Sequence, residues 1–152
     1  MTKRLVFAAL AAGAVLFGTS IARAKEYVDY GYGKGIWNIN QIEVDPNHID
    51  DYLTGLKRSQ IPGFEIMKRH GIIDDYSFMV RNGYTKGAAD VMIGVHYVSA
   101  DGLMPNPTRD QMIEKEIYAT FSEEAGKVAV AGYEKYRQFL DNATWLSVTF
   151  KK

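Results

Sequence analysis

The chain has 152 residues with 18 basic and 18 acidic side chains, a formal net charge of zero, and no cysteine. The missing cysteines exclude disulfide staples, thiolate nucleophiles and cysteine-ligated zinc. No cluster of lysine and arginine stands out, which argues against nucleic acid as a partner, because binding to phosphates relies on basic patches.

At the start, Lys3 and Arg4 lead into an apolar run from Leu5 to Gly18, and Ala22-Arg23-Ala24 places small residues where a signal peptidase requires them. Residues 1–24 therefore read as a cleaved secretory signal, because a spanning helix needs about 20 apolar residues. The expected mature chain, 25–152, keeps 15 basic against 18 acidic residues once Lys3, Arg4 and Arg23 are removed. It contains no second long apolar run, so the expectation is a periplasmic or secreted domain with no membrane association after cleavage. Its stability must come from packing, for which ten tyrosines and two tryptophans are available.

Residues 25–35 are rich in glycine and tyrosine without strand or helix period and read as an N-terminal arm or loop. The domain proper is expected over 36–152. Ile36 to Val44 is β-competent and ends at Asp45-Pro46, where the aspartate suits a helix N-cap and the proline the first helical position. Ile49, Tyr52, Leu53 and Leu56 share a helical face; the helix should run to His70, kink or break into two segments at Pro62-Gly63 and stop at Gly71. A second strand is expected over Ile72 to Val80 and a third over Ala89 to Val98. The third separates an apolar row, Val91, Ile93, Val95 and Tyr97, from a mixed one, Asp90, Met92, Gly94, His96 and Val98.

Thr108 with Gln111, and Thr120 with Glu123, have capping-box spacing, which predicts helices near 109–119 and 121–140, with a single continuous helix as the alternative. Phe121, Ala125, Val128, Gly132, Tyr136 and Phe139 fall on one stripe of the longer helix and are expected to be buried. Asp141-Asn142 reads as a turn into a last strand from Thr144 to Phe150. Strand, helix, strand, strand, helix, strand is the split βαβ arrangement: an α+β, ferredoxin-like βαββαβ fold. Its four-stranded antiparallel sheet has strand order 4-1-3-2 and carries both helices on one face.

Three stretches carry a resemblance: Ile36 to Val44 running into Asp45-Pro46; Tyr52-Leu53-Thr54-Gly55-Leu56-Lys57; and Ile61-Pro62-Gly63-Phe64-Glu65-Ile66-Met67-Lys68 leading to Gly71-Ile72-Ile73-Asp74-Asp75-Tyr76. With these the chain resembles small exported members of the dimeric α+β barrel superfamily, ferredoxin-like domains whose sheets pair face to face. The resemblance implies a sheet-to-sheet homodimer. That superfamily includes cofactor-independent monooxygenases, isomerases, haem enzymes and regulatory members, so it implies fold and not chemistry.

Chemistry is expected on the mixed face of the sheet. With the first and third strands adjacent, Asn38 and Asn40 would approach His96, and Trp145 would join from the other side. Here Asn40 and His96 are the candidate catalytic pair, with Asn38, Tyr76 and Trp145 as ligand-binding walls. The plainer reading makes the same residues a wet interface between two sheets. His48 and His70 read as structural or solvent-exposed, because no H-x-H or H-x-x-x-H spacing brings them together with Asp50, Asp51, Asp74 or Asp75 around a metal. Haem would need only His96 as an axial ligand, but no other residue argues for it, so no metal and no cofactor is expected.

Gly31, Gly33 and Gly35 precede a strand and do not open a helix, which makes them part of an arm and not a phosphate cradle. Ser59, Ser77, Ser99, Ser122 and Ser147 lie outside any nucleophile elbow, and the turn position of Asn142 accounts for the Asn142-Ala143-Thr144 sequon without sugar. Three functions stay open: a small cofactor-free enzyme acting on a partly apolar, aromatic or carbonyl-bearing molecule; a carrier using the same pocket; or a dimeric interaction module without a pocket.

Overall fold

The computed structural model describes residues 23–152; the expected leader lies almost wholly outside them. Among these residues six strands and four α-helices follow in order: β1 (Tyr30–Tyr32), β2 (Ile36–Val44), α1 (Ile49–Ser59), α2 (Ile61–Arg69), β3 (Ile73–Val80), β4 (Val91–Tyr97), α3 (Pro107–Thr120), α4 (Glu123–Glu134), β5 (Arg137–Trp145) and β6 (Val148–Phe150). Four strands form an antiparallel sheet in the order β3-β4-β2-β5, the expected ferredoxin-like topology.

The period of two in β4 decides where the core lies. Val91, Ile93 and Val95 are buried on one face with Ile42 and Val44 of β2, beneath Tyr52 and Leu56 of α1. Each such buried aliphatic side chain contributes about 1.5–3 kcal/mol. Asp45 accepts a hydrogen bond from the Asn47 amide at 2.9 Å and opens a 3-10 turn, Pro46–His48, that leads into α1. The helical break falls at Gln60, just ahead of the expected Pro62-Gly63, because Pro62, which lacks an N–H, is accommodated in the first turn of α2. Gly71, at φ 65°, takes the left-handed conformation that ends α2.

The second half departs further from the sequence expectations. The cap of α3 is Asn106, which accepts from the Arg109 amide at 3.1 Å, and Pro107 occupies the first turn; Ser122, not Thr120, caps α4. Helix α4 ends at Glu134, and residues 137–145 form a strand. Tyr136 and Phe139, three apart, satisfied a helical stripe, but Phe139 is 53% exposed and Val128 64% exposed, while Tyr133 is the buried residue of α4. A register shift opposite Gln41 and Ile42 leaves Leu140 as an extra residue in β5, which hides the strand period.

The arm is also more ordered than expected. Tyr30–Tyr32 pairs with Val148–Phe150, so the last expected strand is divided between β5 in the main sheet and β6 in a small ribbon with β1. The edge-on stack of Tyr30 on Tyr32, with centroids 6.2 Å apart, lies along this ribbon.

Candidate functional site on the open face of the sheet

Strand register sorts every candidate residue onto one of two faces, because successive side chains alternate. Toward the helices, one row runs Tyr76, Val95, Asn38, Thr144 across the four strands, and the next runs Phe78, Ile93, Asn40, Asn142. On the opposite face the rows are Asp75, His96, Trp37, Trp145, then Ser77, Gly94, Ile39, Ala143, then Met79, Met92, Gln41, Asp141.

The expected convergence of Asn38 and Asn40 with His96 is therefore corrected. Both asparagines share the helix face with Val95 and Ile93, while His96 and Trp145 lie on the open face with Trp37. Tyr76 is also on the helix face, packed against Phe64 with ring centroids 5.2 Å apart. The physical reason is parity: Asn38 pairs with Val95 and Asn40 with Ile93, so the layer of backbone separates them from the neighbouring His96.

The three asparagines of the helix face satisfy one another. Asn38 Nδ2 donates to Asn142 Oδ1 at 2.9 Å, Asn142 Nδ2 donates to Asn40 Oδ1 at 2.7 Å, and Asn40 Nδ2 donates to Asn38 Oδ1 at 3.4 Å. This closed ring of amides ties β5 to β2. It also explains why Asp141-Asn142, which reads as a turn, lies within a strand: the side chain of Asn142 finds its partners across the ladder.

On the open face, His96 is held from both sides. Nδ1 contacts Asp74 Oδ1, and Nε2 lies 3.1 Å from the carbonyl oxygen of Lys34. Both partners are oxygens of the protein, so both ring nitrogens face protein groups. With both nitrogens turned to protein oxygens, the ring does not fit a haem axial ligand. The bulge between Ile73 and Asp75 brings Asp74 to the imidazole. The remaining histidines are occupied too: His48 Nδ1 meets Asp51 at 2.9 Å while its ring stacks on Tyr136, and His70 Nε2 meets Glu116 at 2.7 Å. Among the described residues, no three metal-ligating side chains converge.

Beside His96 the open face holds a hollow of about 370 Å³, bordered by Trp37, Ile39, Ser77, Met79, Gly94 and Trp145. Gly94 forms its floor, where a Cβ would stand 3.2 Å from Ser77 Oγ and 3.3 Å from the Trp37 ring. Trp145 is 52% exposed and Met79 44% exposed, so indole and thioether project from the face around the hollow. The sequence signal for this feature was Gly94 itself, a lone glycine inside a strand, which marks a bulge or a close approach.

No protein-family model and no curated protein matches the chain. Among solved structures it is similar to a dimeric ferredoxin-like protein of unknown function from Thermobifida fusca, at 14% identity over 78% of this chain and 92% of that one, with a TM-score of 0.38. It is similar as well to a NIPSNAP family protein with unknown function from Agrobacterium tumefaciens, at 11% identity over 78% and 90%, with a TM-score of 0.43. A dimeric ferredoxin-like protein from an uncultured marine organism shares 9% identity over 78% and 91%, with a TM-score of 0.44.

Proposed function

We propose that the protein is an exported homodimeric interaction module in which the open sheet face of one copy packs on that of a second. The observation that carries this reading is the shape and chemistry of that face. Trp37, Ile39, Met79, Met92 and Trp145 form an apolar surface on the side of the sheet away from α1 and α2, and contiguous apolar surface of this kind marks an interaction site. The face combines a glycine-floored hollow with projecting side chains, the combination that a two-fold interface needs, because the same patch must be both socket and plug. The occupied nitrogens of His96 favour this reading over proton-transfer catalysis. The export part rests on the leader read from residues 1–24.

Size-exclusion chromatography with light scattering tests the pairing. The mature wild-type chain is expected at twice its chain mass, and Met79→Glu and Trp145→Glu at one chain mass with unchanged far-ultraviolet circular dichroism. Both substitutions are at exposed positions, so loss of fold is not the expected outcome. A monomeric wild type, or a dimer that survives both substitutions, overturns the reading.

A further inference from the structure

The segment between β4 and α4 builds a second concave feature on the far side of the molecule from the open face. A 3-10 turn, Ala100–Leu103, leads into α3, which lies against α2. Between α2, α3 and the end of β4 lies a cleft of about 630 Å³, within the range of small-molecule sites. Met67, Ile72, Ile113 and Ile117 give it apolar walls, and Tyr97, the last residue of β4, stands at one end.

Two contacts fix the orientation of Tyr97 and the turn beside it. Gly102 lies so close that a Cβ would stand 2.7 Å from Tyr97 Cδ1. Arg109 anchors the turn: Nη1 donates to the Asp101 carbonyl at 2.9 Å, Nη2 to the Met104 carbonyl at 2.7 Å, and Nε to Asp110 Oδ1 at 2.8 Å. The guanidinium is thereby occupied by the protein. Burial raises the Tyr97 phenol pKa, with Arg109 pulling the other way, so the hydroxyl stays protonated and available as a donor at neutral pH.

Asp110 and Glu114 also line the cleft. Asp110 is paired with Arg109 and accepts from the Asn106 amide at 2.9 Å, so these two charges offset one another, and Glu114 remains as the charge that an anionic ligand would face and a cationic one would complement. We propose that this cleft is a binding site for a small apolar amine, its hydrocarbon body against Met67, Ile113 and Ile117 and its ammonium toward Glu114, with the Tyr97 hydroxyl orienting its polar end. The proposal stands apart from the sheet pairing, because it uses the opposite side of the molecule and other residues.

Isothermal titration calorimetry of the full mature chain with 2-naphthylmethylammonium and with 2-naphthoate tests it. The ammonium probe is expected to saturate at one per chain and the carboxylate to bind at least about tenfold more weakly, as one unfavourable charge contact implies. Ile117→Trp, which fills the cleft, should abolish binding, and Tyr97→Phe should weaken it by about three- to tenfold for one hydrogen bond. Glu114→Lys, on the exposed side of α3, should remove the preference for the ammonium and decides the matter if Ile117→Trp does not fold. No saturable binding of the ammonium probe, equal binding of the two probes, or an unchanged preference in Glu114→Lys overturns the proposal. Oligomeric mass, measured on the same samples, reports the sheet pairing separately.

Discussion

Gly35 and His96 are packed so closely that a Cβ at position 35 would stand 2.7 Å from both Cε1 and Nε2 of the imidazole. Gly35 also has φ 74°, in the left-handed region. The histidine expected to be an acid or base joins the turn before β2 to the bulge of β3 through Lys34 and Asp74. Gly35→Ala is expected to destabilise the fold by about 2 kcal/mol or more, combining the cost of a positive φ with a clash that backbone must absorb. A denaturant titration measures this; a change within a few tenths of a kcal/mol would refute the fastening role.

Tyr52 is fully buried, and its hydroxyl has no hydrogen-bond partner among the described residues. Burial pushes its phenol pKa up, and Arg137 nearby acts in the opposite direction without completing a hydrogen bond in this geometry. Removing an orphaned buried hydroxyl relieves a desolvation cost of about 1–3 kcal/mol. Tyr52→Phe should therefore raise the unfolding midpoint in urea or leave it unchanged. A loss of more than about 1 kcal/mol would show that the hydroxyl is satisfied in solution.

Two helical glycines should respond in opposite directions. A Cβ on Gly55 would collide with the ring of Tyr133, standing 2.8 Å from Cε1, whereas a Cβ on Gly132 meets nothing within 4 Å among the described residues. Alanine favours a helix interior by about 1 kcal/mol over glycine. Gly132→Ala should accordingly stabilise by about 0.5–1 kcal/mol, while Gly55→Ala should destabilise by about 1–3 kcal/mol because overpacking at the α1–α4 crossing outweighs propensity. Paired thermal melts check both signs.

These contrasts separate what the residues reveal by themselves from what they do not. The order of the four main strands, the cap at Asp45, the stop at Gly71 and the core face of β4 all follow from local patterns of one period. Asn38 and Asn40 were harder, because they share a parity with Ile36 and Ile42, and the ring of amides they belong to is closed only through Asn142, 102 residues beyond Asn40. Leu140, the extra residue of the bulge, broke the alternation of β5, while Tyr136 and Phe139 kept a helical spacing beyond the end of the helix. The hollow was legible only as a single glycine, Gly94, and the cleft depends on how α3 settles against α2, a tertiary choice that periodicity does not encode.

Tyr76 offers a test by pH. Its hydroxyl donates to Glu65 Oε1, and this hydrogen bond to a carboxylate, with desolvation as a smaller contribution, pushes the phenol pKa up to about 12. The folded protein then holds a proton that the unfolded chain releases near the ordinary tyrosine value of about 10. The stabilising contribution is complete below about pH 10 and is lost as pH rises toward 12. Glu65→Ala should return the late tyrosine in an absorbance titration to the ordinary range. An unchanged titration in the variant would contradict the pairing.

Trp37 and Trp145 lie opposite one another on the open face, and they are the two tryptophans of the chain. Their emission therefore reports directly on whether that face is covered. Followed down a dilution series in parallel with light scattering, the emission should lie to the blue at high concentration and move to the red as the mass falls from two chains to one. Emission that stays at one wavelength while the protein remains at a single chain mass across the whole series would contradict the account.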